Sequence, residues 1–279
     1  MTPANKTVVG FIGLGDQGLP IAIAIAEAGY ELHVWDRNER TLEALGGVKH
    51  VPNTSAEELA GACDVVALCV NTDADTIGVV SDQLLGGLRK GSVVVNHGTG
   101  TPANAIKLAE ICVAAGVDVL DAPVSGGRPA AAAKIATTMI GGPESVAVKC
   151  DPLFRTFCRH VFYLGGPGAG QTAKLFNNTL MMMNQANIAD IVERAVDYGM
   201  DASKLVEVLK VSSANSRALE LLNTMITADT VNHLVAVQLV DMEIFDEAMS
   251  EGGVAADRET ARAIEGTNGL VKLLGRLQP

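Results

Sequence analysis

An apolar run at residues 7–12 breaks at Gly13-Leu14-Gly15-Asp16-Gln17-Gly18 and continues into a helical pattern at residues 19–28. Strand, glycine turn and helix in that order form the setting that a dinucleotide-binding turn requires. Gly13 permits the tight turn, Gly15 lets the backbone approach a pyrophosphate, and Gly18 lets the helix pack against the strand. Phosphates then face a helix N-terminus, where free N–H groups and the helix dipole favour negative charge. The glycine spacing alone is weak evidence. A second strand at residues 31–35 strengthens it by ending in Asp36, at the distance expected of the acidic residue that binds the adenosine ribose. The competing reading is a glycine turn followed by an ordinary strand-end aspartate. Asp36 would accept from the ribose hydroxyls of NAD and repel the extra phosphate of NADP, while Arg37 and Arg40 pull the other way. The balance favours NAD, with NADP second.

The alternation continues along the chain. Strand patterns at residues 65–70, 93–96 and 117–120 follow helix patterns at 55–61, 76–88 and a segment that Pro102 opens and Gly116 closes. Repeats of this kind build βα units on a mostly parallel sheet, whose ligands bind beyond the carboxyl ends of the strands. Polar clusters fall there at Val70-Asn71-Thr72-Asp73, at Asn96-His97-Gly98-Thr99 and from Asp121 onward; Asp73 and His97 taken singly read as loop chemistry. In Asp121-Ala122-Pro123-Val124-Ser125-Gly126-Gly127, a serine and two glycines expose consecutive N–H groups suited to a carboxylate, although a plain strand-to-helix turn has the same composition. Strands at 137–140 and 161–164 around a helix at 144–157 complete the sheet.

Strand signals then stop. Residues 171–198 read as one long helix without internal Gly or Pro, apolar nearly all round and therefore expected to be buried. Lys174, Asn178, Met181 and Gln185 share one strip of it, so a cation and two amides face one way. Lys174 either snorkels to the surface or is used. Helices follow at 202–209, 216–225, 234–249 and 255–264, with breaks at Gly199, Asp229 and Gly252-Gly253. The shift in composition sets two domains, 1–165 and 166–279.

Among 279 residues the formal charge is −11, and no basic stripe is present to neutralise phosphates, which argues against nucleic acid. No apolar run of membrane-spanning length lacks charge, and the leading M-T-P-A-N-K runs directly into a strand, so no membrane partner is expected and the cytoplasm is the default location. Cys63, Cys69, Cys112, Cys150 and Cys158 form no C-x-x-C pair and suit reduced, buried thiols. The five histidines lack ligand spacing, so no metal is expected.

Three stretches occur in order: G-F-I-G-L-G-x-x-G, D-A-P-V-S-G-G, and G-x-G-x-x-x-K-x-x-x-N at the start of the long helix. Together they resemble the β-hydroxyacid dehydrogenases, the family of 3-hydroxyisobutyrate dehydrogenase, over nearly the whole chain. The resemblance implies an α/β fold: a Rossmann, doubly wound, mostly parallel sheet, then an all-α C-terminal domain joined by a long interdomain helix, with the active site in the cleft between. It implies an oxidoreductase in which Lys174 is the catalytic acid/base, Asn178 helps to hold the substrate, and Ser125, Gly126 and Gly127 bind the carboxylate of a small hydroxyacid. Cofactor contacts are implied for Gly13, Leu14, Gly15, Asp16, Gln17, Gly18, Asp36, Arg37, Val70, Asn71, Thr99 and Asp241. Family members are commonly dimers or tetramers, so a homodimer or homotetramer is expected.

Several positions depart from the family. Gln17 stands where Met is common, Lys134-Ile135-Ala136 where Gly-Thr-Leu is frequent, and Asn96-His97-Gly98 where Asp-x-Ser is usual. Val240-Asp241 replaces a Lys-Asp pair, which removes a cation near cofactor and substrate. These changes leave Lys174 in place and point to retained redox chemistry on a substrate larger or less acidic than 3-hydroxyisobutyrate. Two other readings are an imine reductase, whose relatives usually replace the lysine with Asp or Tyr, and a dinucleotide-binding protein without turnover.

Overall fold

The computed structural model describes residues 7–277; the reading of the leading M-T-P-A-N-K segment lies outside the described residues. The chain forms two compact units that divide between Lys174 and Leu175.

The first unit is built on β1 (Val8–Ile12), β2 (Glu31–Trp35), β3 (Val51–Pro52), β4 (Val65–Leu68), β5 (Val93–Asn96), β6 (Asp118–Asp121), β7 (Val124–Ser125), β8 (Ala136–Gly141) and β9 (Cys158–Gly165). Among the described residues these nine strands make one sheet in the order β3-β2-β1-β4-β5-β6-β8-β7, with β9 on the other side of β8. The strands from β3 to β6 are all parallel, β8 runs antiparallel to β6 and β7, and β9 is parallel to β8. The helices are α1 (Gly18–Glu27), α2 (Ala56–Ala62), α3 (Asp73–Gly78), α4 (Pro102–Ala114), α5 (Gly127–Ala132) and α6 (Glu144–Phe154). Because both faces of the sheet are covered, its central strands β1, β4 and β5 are apolar up to Asn96 at the end of β5. Val9, Phe11, Val65, Ala67, Val93 and Val95 face one core, while Ile12, Val66, Leu68 and Val94 face the other.

The helix expected at residues 76–88 is divided. α3 ends at Gly78, and Val79–Leu84 widens into a π-helical turn that directs Val79, Val80 and Leu84 into the core. The helix expected to reach residue 157 stops at Phe154.

The long helix α7 (Ala169–Asp197) belongs to both units by sequence. The second unit adds α8 (Ala202–Lys210), α9 (Arg217–Leu221), α10 (Val231–Glu251) and α11 (Asp257–Arg276). α9 is shorter than the expected 216–225 because Asn223 turns to a positive φ of 61° and its N–H donates to the Ile226 carbonyl. α11 runs well past residue 264. Gly266 does not end it but lies against the Met182 carbonyl of α7, where no side chain would fit. α7 is not buried all round as expected. Leu175, Met182, Ala186 and Val192 are buried, but Phe176, Leu180 and Ile191 are more than half exposed, since the chain covers only part of the helix circumference.

Candidate active site

A cavity of 190 Å³ opens at the carboxyl ends of β1, β2 and β4, lined by Ile12, Gly13, Gly15, Trp35, Asp36, Arg37, Thr41, Cys69, Val70, Asn71 and Val79. The local sequence shapes it. Gly13 takes φ 92° with its α-carbon against the Cys69 carbonyl, and Gly18 sits on the Gly13 carbonyl, so neither position admits a side chain. Gly15 has open space where a side chain would stand, which is the gap a pyrophosphate needs. Gln17 precedes α1 without a side-chain cap, and no acidic residue occupies the first turn, so the helix start retains its attraction for anions. Asp36 is fixed at the end of β2: Oδ2 accepts from Leu14 N at 2.9 Å and Oδ1 from Asn38 N at 2.9 Å. These features fit a nicotinamide dinucleotide. The structure brings Gly13, Leu14, Gly15, Asp36, Arg37, Val70 and Asn71 together, and Asp16 on the same turn accepts from Arg128 Nη1 at 3.2 Å.

Lys174 does not snorkel. It is 9% exposed, and its Nζ donates to the Val124 carbonyl at 2.8 Å. That carbonyl immediately precedes Ser125-Gly126-Gly127, where Gly126 and Gly127 take φ of 111° and 61° and turn the chain into α5. The ammonium thus stands beside the candidate carboxylate loop. It also acts on Cys69, which lines the dinucleotide cavity: burial pushes this thiol up to about 12, and the Lys174 charge opposes that shift.

Two buried side chains set this geometry, and neither role was assigned from sequence. Asp121, at the end of β6, accepts from Gly168 N and Gln171 N at 2.9 Å each and so caps the start of α7. Burial raises its pKa, and the amides from Gly168 and Gln171 oppose the rise. Gln171 lies one turn before Lys174 and is 1% exposed. Its Oε1 accepts from Gly100 N at 3.0 Å and its Nε2 donates to Gly98 O at 2.8 Å, clamping the loop that carries half-buried Thr99. Asp73 holds the same loop further along, accepting from Thr101 N at 2.8 Å and Asn104 Nδ2 at 2.9 Å. Burial raises the Asp73 pKa against those hydrogen bonds. The available signals were position alone: Asp121 opens D-A-P-V-S-G-G, and Gln171 precedes Lys174 by three.

In the second unit, Asn178 Nδ2 donates to Asp241 Oδ2 at 2.8 Å, so these two candidates meet each other across α7 and α10. Asn178 and Gln185 are buried and Met181 partly so, which preserves the polar strip read from the sequence. Val240, beside Asp241, is 49% exposed.

His97 is a core residue. It is 1% exposed, its Nδ1 lies 2.8 Å from the Ala122 carbonyl, and its ring contacts Phe11, Phe154 and Phe157 at centroid distances of 6.4, 6.0 and 5.4 Å. Burial lowers its pKa to about 4. All five cysteines are free thiols. Among the described residues no cluster of three or more His, Cys, Asp or Glu is placed to hold a metal ion, and no helix is long and apolar enough to cross a membrane.

Comparison with known proteins supports the same fold and cofactor class. Residues 8–165 match the family model described as the NAD binding domain of 6-phosphogluconate dehydrogenase. Residues 168–263 match the model described as NAD-binding of NADP-dependent 3-hydroxyisobutyrate dehydrogenase. An NAD-dependent L-serine dehydrogenase from Pseudomonas aeruginosa is 34% identical over 217 residues, covering 77% of this chain and 73% of the relative. A 3-hydroxyisobutyrate dehydrogenase from the same organism is 32% identical over 219 residues, covering 78% and 74%. In fold, the chain is similar to Mycobacterium tuberculosis 3-hydroxyisobutyrate dehydrogenase solved with L-serine, at a TM-score of 0.83 and 24% identity, covering 96% of this chain and 94% of that one. The chain belongs to the β-hydroxyacid dehydrogenase family, the relatives of 3-hydroxyisobutyrate dehydrogenase, and is an NAD(P)-dependent oxidoreductase that transfers a hydride at the CH–OH group of a β-hydroxyacid.

Proposed function

We propose that Lys174 is the acid/base of this reaction and that the substrate is a small hydroxyacid held by its carboxylate at Ser125, Gly126 and Gly127. The observation that carries this reading is the 2.8 Å hydrogen bond from Lys174 Nζ to the Val124 carbonyl, which holds a buried amine at the edge of that loop. The nicotinamide, when bound, supplies or takes the hydride. Lys174 takes the hydroxyl proton in oxidation and returns it to the carbonyl oxygen in reduction, so charge does not build up on the reacting oxygen. Asn178, anchored by Asp241, orients the substrate. Gly13, Leu14, Gly15, Asp16, Gln17, Gly18, Asp36, Arg37, Val70, Asn71, Thr99 and Asp241 serve the cofactor.

Asp36 supports NAD over NADP, because a fixed carboxylate at the ribose repels a 2′-phosphate. The relatives named for L-serine and 3-hydroxyisobutyrate support a hydroxyacid that keeps their 3-hydroxy-carboxylate core, and Val240 in place of a lysine supports one larger or less acidic than 3-hydroxyisobutyrate. The exposed apolar residues of α7 support a homodimer or homotetramer, and the five free thiols support the cytoplasm.

The test is an absorbance assay at 340 nm with NAD or NADP against L-serine, 3-hydroxyisobutyrate, larger hydroxyacids, uncharged alcohols and an amine. Turnover of hydroxyacids with NAD is expected. Activity confined to uncharged alcohols or the amine would remove Ser125, Gly126 and Gly127 from carboxylate binding.

A further inference from the structure

The adenosine end of the dinucleotide cavity carries one guanidinium among its lining residues, that of Arg37. Arg40, the other arginine near the end of β2, is not part of the lining. A cation at this place is what a 2′-phosphate would seek. Arg37 is instead engaged with a residue of a different βα unit: its Nη1 lies 3.1 Å from Asp75 Oδ1. Asp75 is itself fixed. Its Oδ2 accepts from Thr72 Oγ1 at 2.9 Å, and its backbone N–H donates back to Thr72 Oγ1 at 3.0 Å, which seats the carboxylate in the first turn of α3.

We propose that Asp75 is a specificity-determining residue for the cofactor: by holding Arg37 it withholds the guanidinium that would otherwise receive the 2′-phosphate of NADP. This rests on the NAD preference proposed above. Selection against NADP then has two independent parts. Asp36 places a fixed negative charge at the ribose, and Asp75 draws the nearby positive charge away. Residues 36 and 37 alone, an acid followed by an arginine, leave the choice open; a carboxylate from the first turn of α3 decides it.

The pair is solvent-exposed, with Arg37 at 64% and Asp75 at 26% side-chain exposure, so each holds the other by only a small factor. Releasing Arg37 onto a phosphate should therefore raise the NADP-to-NAD affinity ratio about two- to fivefold. Asp75→Asn tests this with little risk to the fold, because Thr72 Oγ1 caps α3 through the Asp75 backbone N–H, which the substitution keeps.

The experiment is isothermal titration of the purified full chain with NAD and with NADP, no substrate present. The ratio is the readout, so a general loss of binding does not imitate the effect. A raised ratio in Asp75→Asn and in Asp75→Ala, restored by Asp75→Glu and abolished in the Asp75→Asn, Arg37→Gln double variant, is expected. An unchanged ratio in both single variants, with NAD bound as in the parent, would overturn the inference alone. Persistence of the gain in the double variant would also overturn it, since Asp75 would then act as a bare charge. A parent chain that binds neither dinucleotide would overturn both this inference and the cofactor assignment beneath it.

Discussion

Lys174 and His97 are both buried bases, and their surroundings differ. The lysine is tied to a backbone carbonyl at the edge of the glycine loop, while the histidine is ringed by Phe11, Phe154 and Phe157. If Lys174 is the acid/base proposed above, Lys174→Ala lowers kcat about 10²–10⁴-fold and leaves NAD affinity largely intact, because that role is at the reacting oxygen and not at the dinucleotide. Single-turnover kinetics with parallel NAD titration checks this; near-parental turnover would remove Lys174 from the chemistry. His97 was not separable from a loop ligand by sequence, since its aromatic neighbours lie far along the chain. Its folded pKa of about 4 lies below the ordinary 6.5. The unfolded chain therefore binds more protons in that window, and stability present above pH 6.5 is lost as pH falls towards 4. The loss is up to roughly 3 kcal/mol at about 1.4 kcal/mol per unit. Asp73 and Asp121, with raised pKa values, work in the opposite sense. Urea denaturation at pH 7 and pH 5 should show a smaller drop in His97→Phe than in the parent; equal drops would rule out His97 as the source.

At the scale of the element, α7 is defined by its start. The Gly-rich entry and the 3.6-residue periodicity are local signals, so its span and its strip of Lys174, Asn178 and Gln185 were legible in the sequence. The partners that hold its first turn were not. Asp121 lies 47 residues from Gly168 and 50 from Gln171, and no pattern of spacing announces a cap across that distance. Asp121→Asn keeps one acceptor oxygen for two buried amides and should cost roughly 1–3 kcal/mol. A displaced lysine should accompany that cost. Denaturant midpoints and kcat measured together check this, and unchanged values of both would show that the cap is dispensable. The glycine turn at residues 13–18 illustrates the other case, where strand, turn and helix are adjacent in sequence and the cavity could be placed from residues alone. The place of Gly266 inside α11 was hidden as Asp121 was, since its reason is the Met182 carbonyl of another helix.

For the whole molecule, the surface left apolar is informative. Phe176, Leu180 and Ile191 stand 51%, 59% and 54% exposed along α7, a helix that periodicity alone would bury. Helix periodicity reports that a face is covered without telling which chain covers it. Light scattering after size exclusion should give a dimer or tetramer, and Leu180→Glu with Ile191→Glu should shift it towards the monomer. A parent chain that is monomeric across micromolar concentrations would overturn this.

The cap on α7 also bears on where the molecule can be cut. The change in composition near Gly165 invites a fragment that ends there, yet such a fragment carries Asp121 without the amides of Gly168 and Gln171. A buried carboxylate would then be stranded at the end of β6. The dinucleotide-binding half is separable only if it takes the first turn of the next helix with it. Expressed alone, residues 1–174 should outlast residues 1–165 in urea by roughly 1–3 kcal/mol. Equal midpoints would show that the carboxylate finds water instead.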